Sequence, residues 1–215
     1  MVNESKYKEL LATLGDKVTL VAVSKTKPVE DIQALYDLGQ RDFGENYVQE
    51  LVDKQPQLPT DIHWHFIGHL QSNKVKYIAP FVHLIHGVDS FKLLKEIDKQ
   101  AAKLNKTIDV LLQVHIAQEE TKFGMDEKEL EEALRNSTAL IHVRIRGFMG
   151  MASFTDDMNK VRNEFRSLVT MVTPLTSHNS RLTTLSMGMS SDYPIAVEEG
   201  STMVRIGSLL FGARS

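Results

Sequence analysis

Lys25 closes the apolar run Val18-Thr19-Leu20-Val21-Ala22-Val23-Ser24 and is followed at once by Thr26-Lys27-Pro28. An ammonium at the mouth of a buried strand is costly to keep charged, so burial lowers its pKa and frees the amine as a nucleophile suited to capturing an aldehyde. The same placement also fits a lysine whose stem covers the strand end while its head stays in water. Near the other end of the chain stands Arg205-Ile206-Gly207-Ser208. Gly207 lets backbone approach a ligand closely, and Ser208 adds a hydroxyl to the amides of a helix start. That is either a cradle for an anion or a plain strand-to-helix turn. Arg205 lies two residues before Gly207, so strand alternation aims both at one ligand. A guanidinium facing a heterocyclic nitrogen keeps that nitrogen unprotonated. A salt bridge is the other use of such an arginine.

Two more segments carry usable chemistry. Leu185-Ser186-Met187-Gly188-Met189-Ser190-Ser191-Asp192 sets three hydroxyls beside the cradle, where Ser186, Ser190 and Ser191 can donate to phosphate oxygens or cap the following helix. His63-Trp64-His65 puts two imidazoles on one face of a strand, the start of a metal-ligand set that His69 and His115 could join in a metal-dependent hydrolase. Against that use, the eighth strand ends without a carboxylate ligand. An aldehyde-capturing lysine, a phosphate cradle and an arginine between them describe a pocket for pyridoxal 5′-phosphate. No Gly-x-x-x-x-Gly-Lys-Ser/Thr or Gly-x-Gly-x-x-Gly loop supports nucleotide or dinucleotide binding.

These groups need a scaffold that gathers strand ends. Short β-rich runs alternate with amphipathic helical patterns along the whole chain, the signature of parallel βα units. The strand candidates are Val18–Val23, Asp42–Gly44, His63–Ile67, Val82–His86, Ile108–His115, Val143–Phe148, Thr183–Ser186 and Met203–Ile206. Pro28 and Gly39 bracket one helix, and Asp89 or Ser90 can cap another, which puts Leu94, Ile97, Ala101 and Leu104 on one face. A later helix does the same with Met158, Val161, Phe165, Leu168 and Val172, and a polar helix over Glu4–Leu14 precedes the first strand. Eight βα units without an internal linker predict one α/β domain over residues 1–215, a (β/α)8 TIM barrel with an extra N-terminal helix. In that fold functional groups collect at the C-terminal strand ends, where Lys25 falls.

Composition narrows the partners. The 215 residues are 42% hydrophobic and 25% charged with a net charge of −3, and no cluster of Lys and Arg matches a row of phosphates. Nucleic acid is an unexpected partner. With no cysteine, disulfides, thiolate metal sites and cysteine nucleophiles are excluded. There is neither a signal-like start nor a membrane-length apolar run, so the expected location is cytoplasmic.

The order of motifs resembles the pyridoxal phosphate homeostasis protein family, which is similar to the barrel domain of fold-type III alanine racemase. The resemblance rests on Val21-Ala22-Val23-Ser24-Lys25, Phe43-Gly44-Glu45-Asn46-Tyr47-Val48-Gln49-Glu50 and Trp64-His65-Phe66-Ile67-Gly68-His69-Leu70-Gln71-Ser72-Asn73-Lys74. It continues through Lys122-Phe123-Gly124, Gly147-Phe148-Met149-Gly150-Met151, Leu185–Ser190 and Val204–Ser208. It implies that Lys25 is the Schiff-base lysine, that Arg205 faces the pyridine nitrogen, and that Ser186, Gly207 and Ser208 hold the phosphate. It also places Asn46 near the cofactor ring, with His65 and Met149 pointing toward the same cavity. Ser208 stands where other members often carry threonine, which keeps the hydroxyl. The implied role is vitamin B6 and amino-acid balance without turnover, with pyridoxal phosphate-dependent or pyridoxal phosphate-synthesising enzymes as possible partners. A racemase of this type draws a second acid–base group from a separate β-domain, for which this sequence shows no source. An amino-acid racemase and a regulatory scaffold remain the alternatives alongside the His63/His65 hydrolase.

Overall fold

The computed structural model describes residues 2–117, 123–177 and 180–212. Lys122 of the fourth motif therefore lies outside the described residues. The chain runs α1 (Glu4–Leu14), β1 (Thr19–Val23), α2 (Val29–Asp37), β2 (Asp42–Glu45), α3 (Val48–Lys54), β3 (His63–Phe66), α4 (Val75–Ile78), β4 (Leu84–Val88), α5 (Phe91–Lys103) and β5 (Ile108–Val114). It continues with α6 (Glu127–Asn136), β6 (Val143–Gly150), α7 (Met158–Ser177), β7 (Thr184–Met189), α8 (Tyr193–Glu198), β8 (Met203–Ile206) and α9 (Ser208–Phe211). Each strand pairs in parallel with the next, and β8 returns to β1, closing the eight-stranded barrel that the βα repeat predicts.

Local chemistry sets the helix starts. Asn3 caps α1 by accepting from the Lys6 amide, and Asp126 and Glu129 form a reciprocal capping box on α6. Ser90, rather than Asp89, caps α5 through its hydroxyl and the Leu93 amide. Leu94, Ile97 and Ala101 of α5 and Val161, Phe165, Leu168 and Val172 of α7 are buried, each large aliphatic side chain contributing about 1.5–3 kcal/mol. The stripes are shorter than the periodicity predicts. Leu104 is the C-cap of α5, where the backbone leaves helical geometry, and it and Met158 remain exposed.

Strand ends also differ from the sequence reading. β4 starts and stops two residues later than Val82–His86, while β6 and β7 run on to Gly150 and Met189. Gly147 lies inside β6, within the strand run Val143–Phe148 that the sequence predicts. At φ +151, any Cβ there would meet the Thr184 carbonyl oxygen at 1.8 Å, so glycine lets β7 lie close against β6.

Two apolar layers result. The larger fills the space between wall and helices, and a small one of Val21, Leu84, Leu111, Met149 and Met203 packs separately from it. Beside that small cluster, buried polar side chains of β3, β4, β7 and β8 form a column: His65, His86, Ser186 and Arg205.

Candidate functional site

A cavity of about 510 Å³ opens at the C-terminal ends of the strands, within the range of small-ligand sites. Lys25, Asn46, Arg205, Gly207 and Ser208 all line it, joined by Val23, Ile67, Met151, Phe154, Met189 and Ser190. Residues far apart in sequence meet there because each follows or ends a strand of the same ring.

The turn that presents Lys25 is held from both sides. Ser24 donates its hydroxyl to Glu45 Oε1 (2.7 Å), and Lys54 Nζ donates to Glu45 Oε1 (2.8 Å), to the Ser24 carbonyl (2.8 Å) and to Glu50 Oε1 (2.6 Å). Glu50 Oε1 also accepts from the Thr26 amide (2.6 Å), and Thr26 adopts φ +63, which is strained for a β-branched residue. The ion-paired network thus fixes both neighbours of a half-buried Lys25. Burial pushes the Glu45 carboxyl above its ordinary value, an effect that Lys54 opposes.

Asn46 follows β2 directly, and its side-chain Oδ1 is buried with no hydrogen-bond partner. A Cβ on Gly68 would sit 2.2 Å from the Asn46 carbonyl oxygen, so only glycine allows the loop after β3 to pack against this residue. An orphaned acceptor at a cavity wall costs about 1–3 kcal/mol unless a ligand supplies a donor.

Across the cavity, the Gly207 amide donates to Ser190 Oγ (3.2 Å) and Gly207 occupies the N-cap of α9. The amides of Ser208 and Leu209 fall in the first turn of that helix and have no intrahelical acceptor. Together with the two hydroxyls they suit an anion.

Arg205 is buried, and its guanidinium donates to the Ser186 carbonyl (2.9 Å), Ser186 Oγ (2.6 Å) and the Gly150 carbonyl (3.2 Å). All three acceptors are uncharged and none engages Nε. Burial lowers its pKa to about 10, with Asp192 pulling the other way, so it is still a cation at neutral pH.

The hydrogen bonds continue through the barrel. Ser186 Oγ lies 3.1 Å from His86 Nδ1, His86 Nε2 lies 2.9 Å from His65 Nδ1, and His65 Nε2 lies 2.9 Å from Asp42 Oδ1. The two ends fix the direction of the outer bonds. Arg205 can only donate, so Ser186 Oγ accepts from it and keeps its own proton available for His86 Nδ1. Burial holds His86 neutral, with its pKa well below the usual value, and the Asp42 carboxylate can only accept, so His65 Nε2–H donates to it. In the tautomer where His65 Nδ1 is the acceptor, His86 Nε2–H donates to it and His86 Nδ1 accepts from Ser186. A cation at one end and a carboxylate at the other polarise the column in one sense.

Five of the eight residues singled out in the sequence line the cavity. The other three sit beneath it. Ser186 is fully buried with its hydroxyl engaged by Arg205 and His86, His65 is enclosed in the column, and Met149 belongs to the small apolar cluster. His63 and His65 do share a strand face, but His69 pairs with Asp89 at 3.1 Å and stacks on Phe123, apart from them. Ser190 bonds Gly207 instead of capping α8, whose N-cap is Asp192. Sequence reasoning missed Asp42, His86 and the Glu45–Lys54 pair. A histidine in the strand run ending at position 86 was the available sign of a polar interior.

Comparison with known proteins identifies the family. Residues 4–215 match the family described as alanine racemase, N-terminal domain. The chain is 44% identical over 197 residues to a pyridoxal phosphate homeostasis protein of Aquifex aeolicus, covering 91% of this chain and 86% of the relative. It is 40% identical over the full length of both chains to a protein of the same name from Synechocystis sp.. The solved structure of PipY of Synechococcus elongatus PCC7942, with PLP bound, matches with a TM-score of 0.89 at 38% identity, covering 97% of this chain and 99% of that one. The chain belongs to the alanine racemase N-terminal domain family and to the pyridoxal phosphate homeostasis proteins.

Proposed function

We propose that this member of the pyridoxal phosphate homeostasis family binds pyridoxal 5′-phosphate at the C-terminal mouth of its barrel and serves vitamin B6 balance as a carrier or buffer without turnover. The observation that carries this reading is one cavity lined by an amine, an anion cradle, a buried guanidinium and an orphaned amide oxygen. When bound, the cofactor supplies an aldehyde that a lysine amine holds as a reversible Schiff base. Lys25 is the residue proposed to provide that amine, and the Glu45–Lys54–Glu50 network orients it.

Ser190, Gly207 and Ser208 would bind the phosphate, and Asn46 Oδ1 would accept from the ring hydroxyl. Arg205 would face the ring nitrogen and keep it unprotonated, which weakens the ring as an electron sink and favours storage over carbanion chemistry. Ser186 and His65 then act through Arg205 by fixing its guanidinium, and Met149 packs below. Residues 1–215 form one cofactor-binding unit in this reading, placed in the cytoplasm, with recipients among pyridoxal phosphate-dependent enzymes. No helix among the described residues is long and apolar enough to cross a membrane.

The test is spectroscopic and chemical. Purified protein mixed with the cofactor should show imine absorbance, and borohydride reduction should leave the added mass on the peptide containing Lys25, with both lost in Lys25→Ala. A protein that stays colourless removes the binding reading. Conversion of any amino acid by the loaded protein, followed by chiral analysis and abolished in Lys25→Ala, removes the carrier reading in favour of a racemase.

A further inference from the structure

At the opposite mouth of the barrel, three side chains from neighbouring strand starts converge. Asp42 and His63 are the first residues of β2 and β3 and are register partners, and His83 immediately precedes β4 with its amide bonded to the Trp64 carbonyl (2.9 Å). One potential ligand atom from each of Asp42, His63 and His83 lies within 4.8 Å of the others. The His63 and His83 rings stack with centroids 4.4 Å apart, bringing two imidazoles to one point. Among the described residues neither ring nitrogen of His83 has a hydrogen-bond partner.

We propose that Asp42, His63 and His83 form a binding site for a borderline divalent transition cation of the zinc type. Two imidazoles and one carboxylate are a donor set that such ions take, with water completing the shell because the two histidines are exposed. Bonds of about 2.1 Å in tetrahedral geometry put ligand atoms roughly 3.4 Å apart. Closing from at most 4.8 Å shortens each separation by no more than roughly 1.4 Å, which the exposed rings of His63 and His83 can supply by side-chain rotation. The carboxylate is already oriented. His65 Nε2 donates to Asp42 at 2.9 Å from inside the barrel, the outer support that ligating carboxylates commonly have. This site is separate from the cofactor cavity, with which it shares no lining residue.

Untagged full-length protein titrated with Zn²⁺ by calorimetry, and with Co²⁺ by visible absorption, tests the assignment. Wild type should take up one ion per chain, with Co²⁺ giving the intense bands of a four-coordinate site. His83→Ala should weaken binding by on the order of tenfold or more while leaving pyridoxal phosphate loading and melting temperature unchanged. His63→Ala combined with His83→Ala should abolish uptake. Absence of stoichiometric binding by wild type overturns the proposal, as does binding that survives in His83→Ala at wild-type affinity.

Discussion

His86 and Ser186 stand 100 residues apart in the chain and 3.1 Å apart in the barrel, Nδ1 to Oγ. That contact joins Arg205, which borders the cavity at the C-terminal strand ends, to the histidine column that ends at Asp42. The members of the column are hydrogen-bonded in series, so each constrains the next. The position of the guanidinium depends on groups that never reach the cavity.

Ser186→Ala should expose this dependence. The substitution strips Arg205 of one acceptor and His86 of its donor inside a buried site, which costs about 1–3 kcal/mol. Urea unfolding measures that loss, and fluorescence titration should show weaker pyridoxal phosphate binding although Ser186 does not line the cavity.

Acid should destabilise the protein through His86. Its folded pKa is held well below 6.5 by burial, so as pH falls through 6.5 the unfolded chain gains a proton that the folded one refuses. The unfolded state then binds more protons, and stability drops by up to about 1.4 kcal/mol per pH unit for this group. His86→Gln should flatten the profile below pH 6.5 by one proton, read from unfolding free energies at a series of pH values.

Breaking the pair beneath Lys25 should be more damaging than removing it. Lys54 and Glu45 are both buried, with side chains 8% and 0% exposed, so Lys54→Met strands a carboxylate and should cost about 3–5 kcal/mol. Adding Glu45→Gln should restore part of that loss. A double-mutant cycle in urea gives the coupling, and additive losses would argue against the pair.

Gly68→Ala tests the packing behind Asn46. The new methyl would fall 2.2 Å from a backbone oxygen, which cannot swing aside as a side chain can, so the loop after β2 must shift. About 1–3 kcal/mol of stability should be lost, together with cofactor affinity, whereas the nearby exposed Tyr47→Ala should change stability little.

The sequence by itself determined the parts of this protein that depend on neighbours in the chain. Eight βα units follow from local hydrophobic period and helix punctuation, and closure into a barrel follows from their number. Lys25, Asn46 and Gly207-Ser208 were legible because each lies within two residues of a strand's end, and strand ends share one mouth whatever the details of register. Tertiary structure decided which polar side chains touch. Ser186 looked like a phosphate ligand because its type and place fit one, yet the register of β4, β7 and β8 turns its hydroxyl to His86 and Arg205 inside the wall. His63 stood out in sequence only beside His65, and Asp42 and His83 not at all; the three are adjacent because their strand starts are paired in parallel. A period of two tells which face a residue takes. Only the pairing offset between strands, set by packing across the whole ring, tells which residue it meets there.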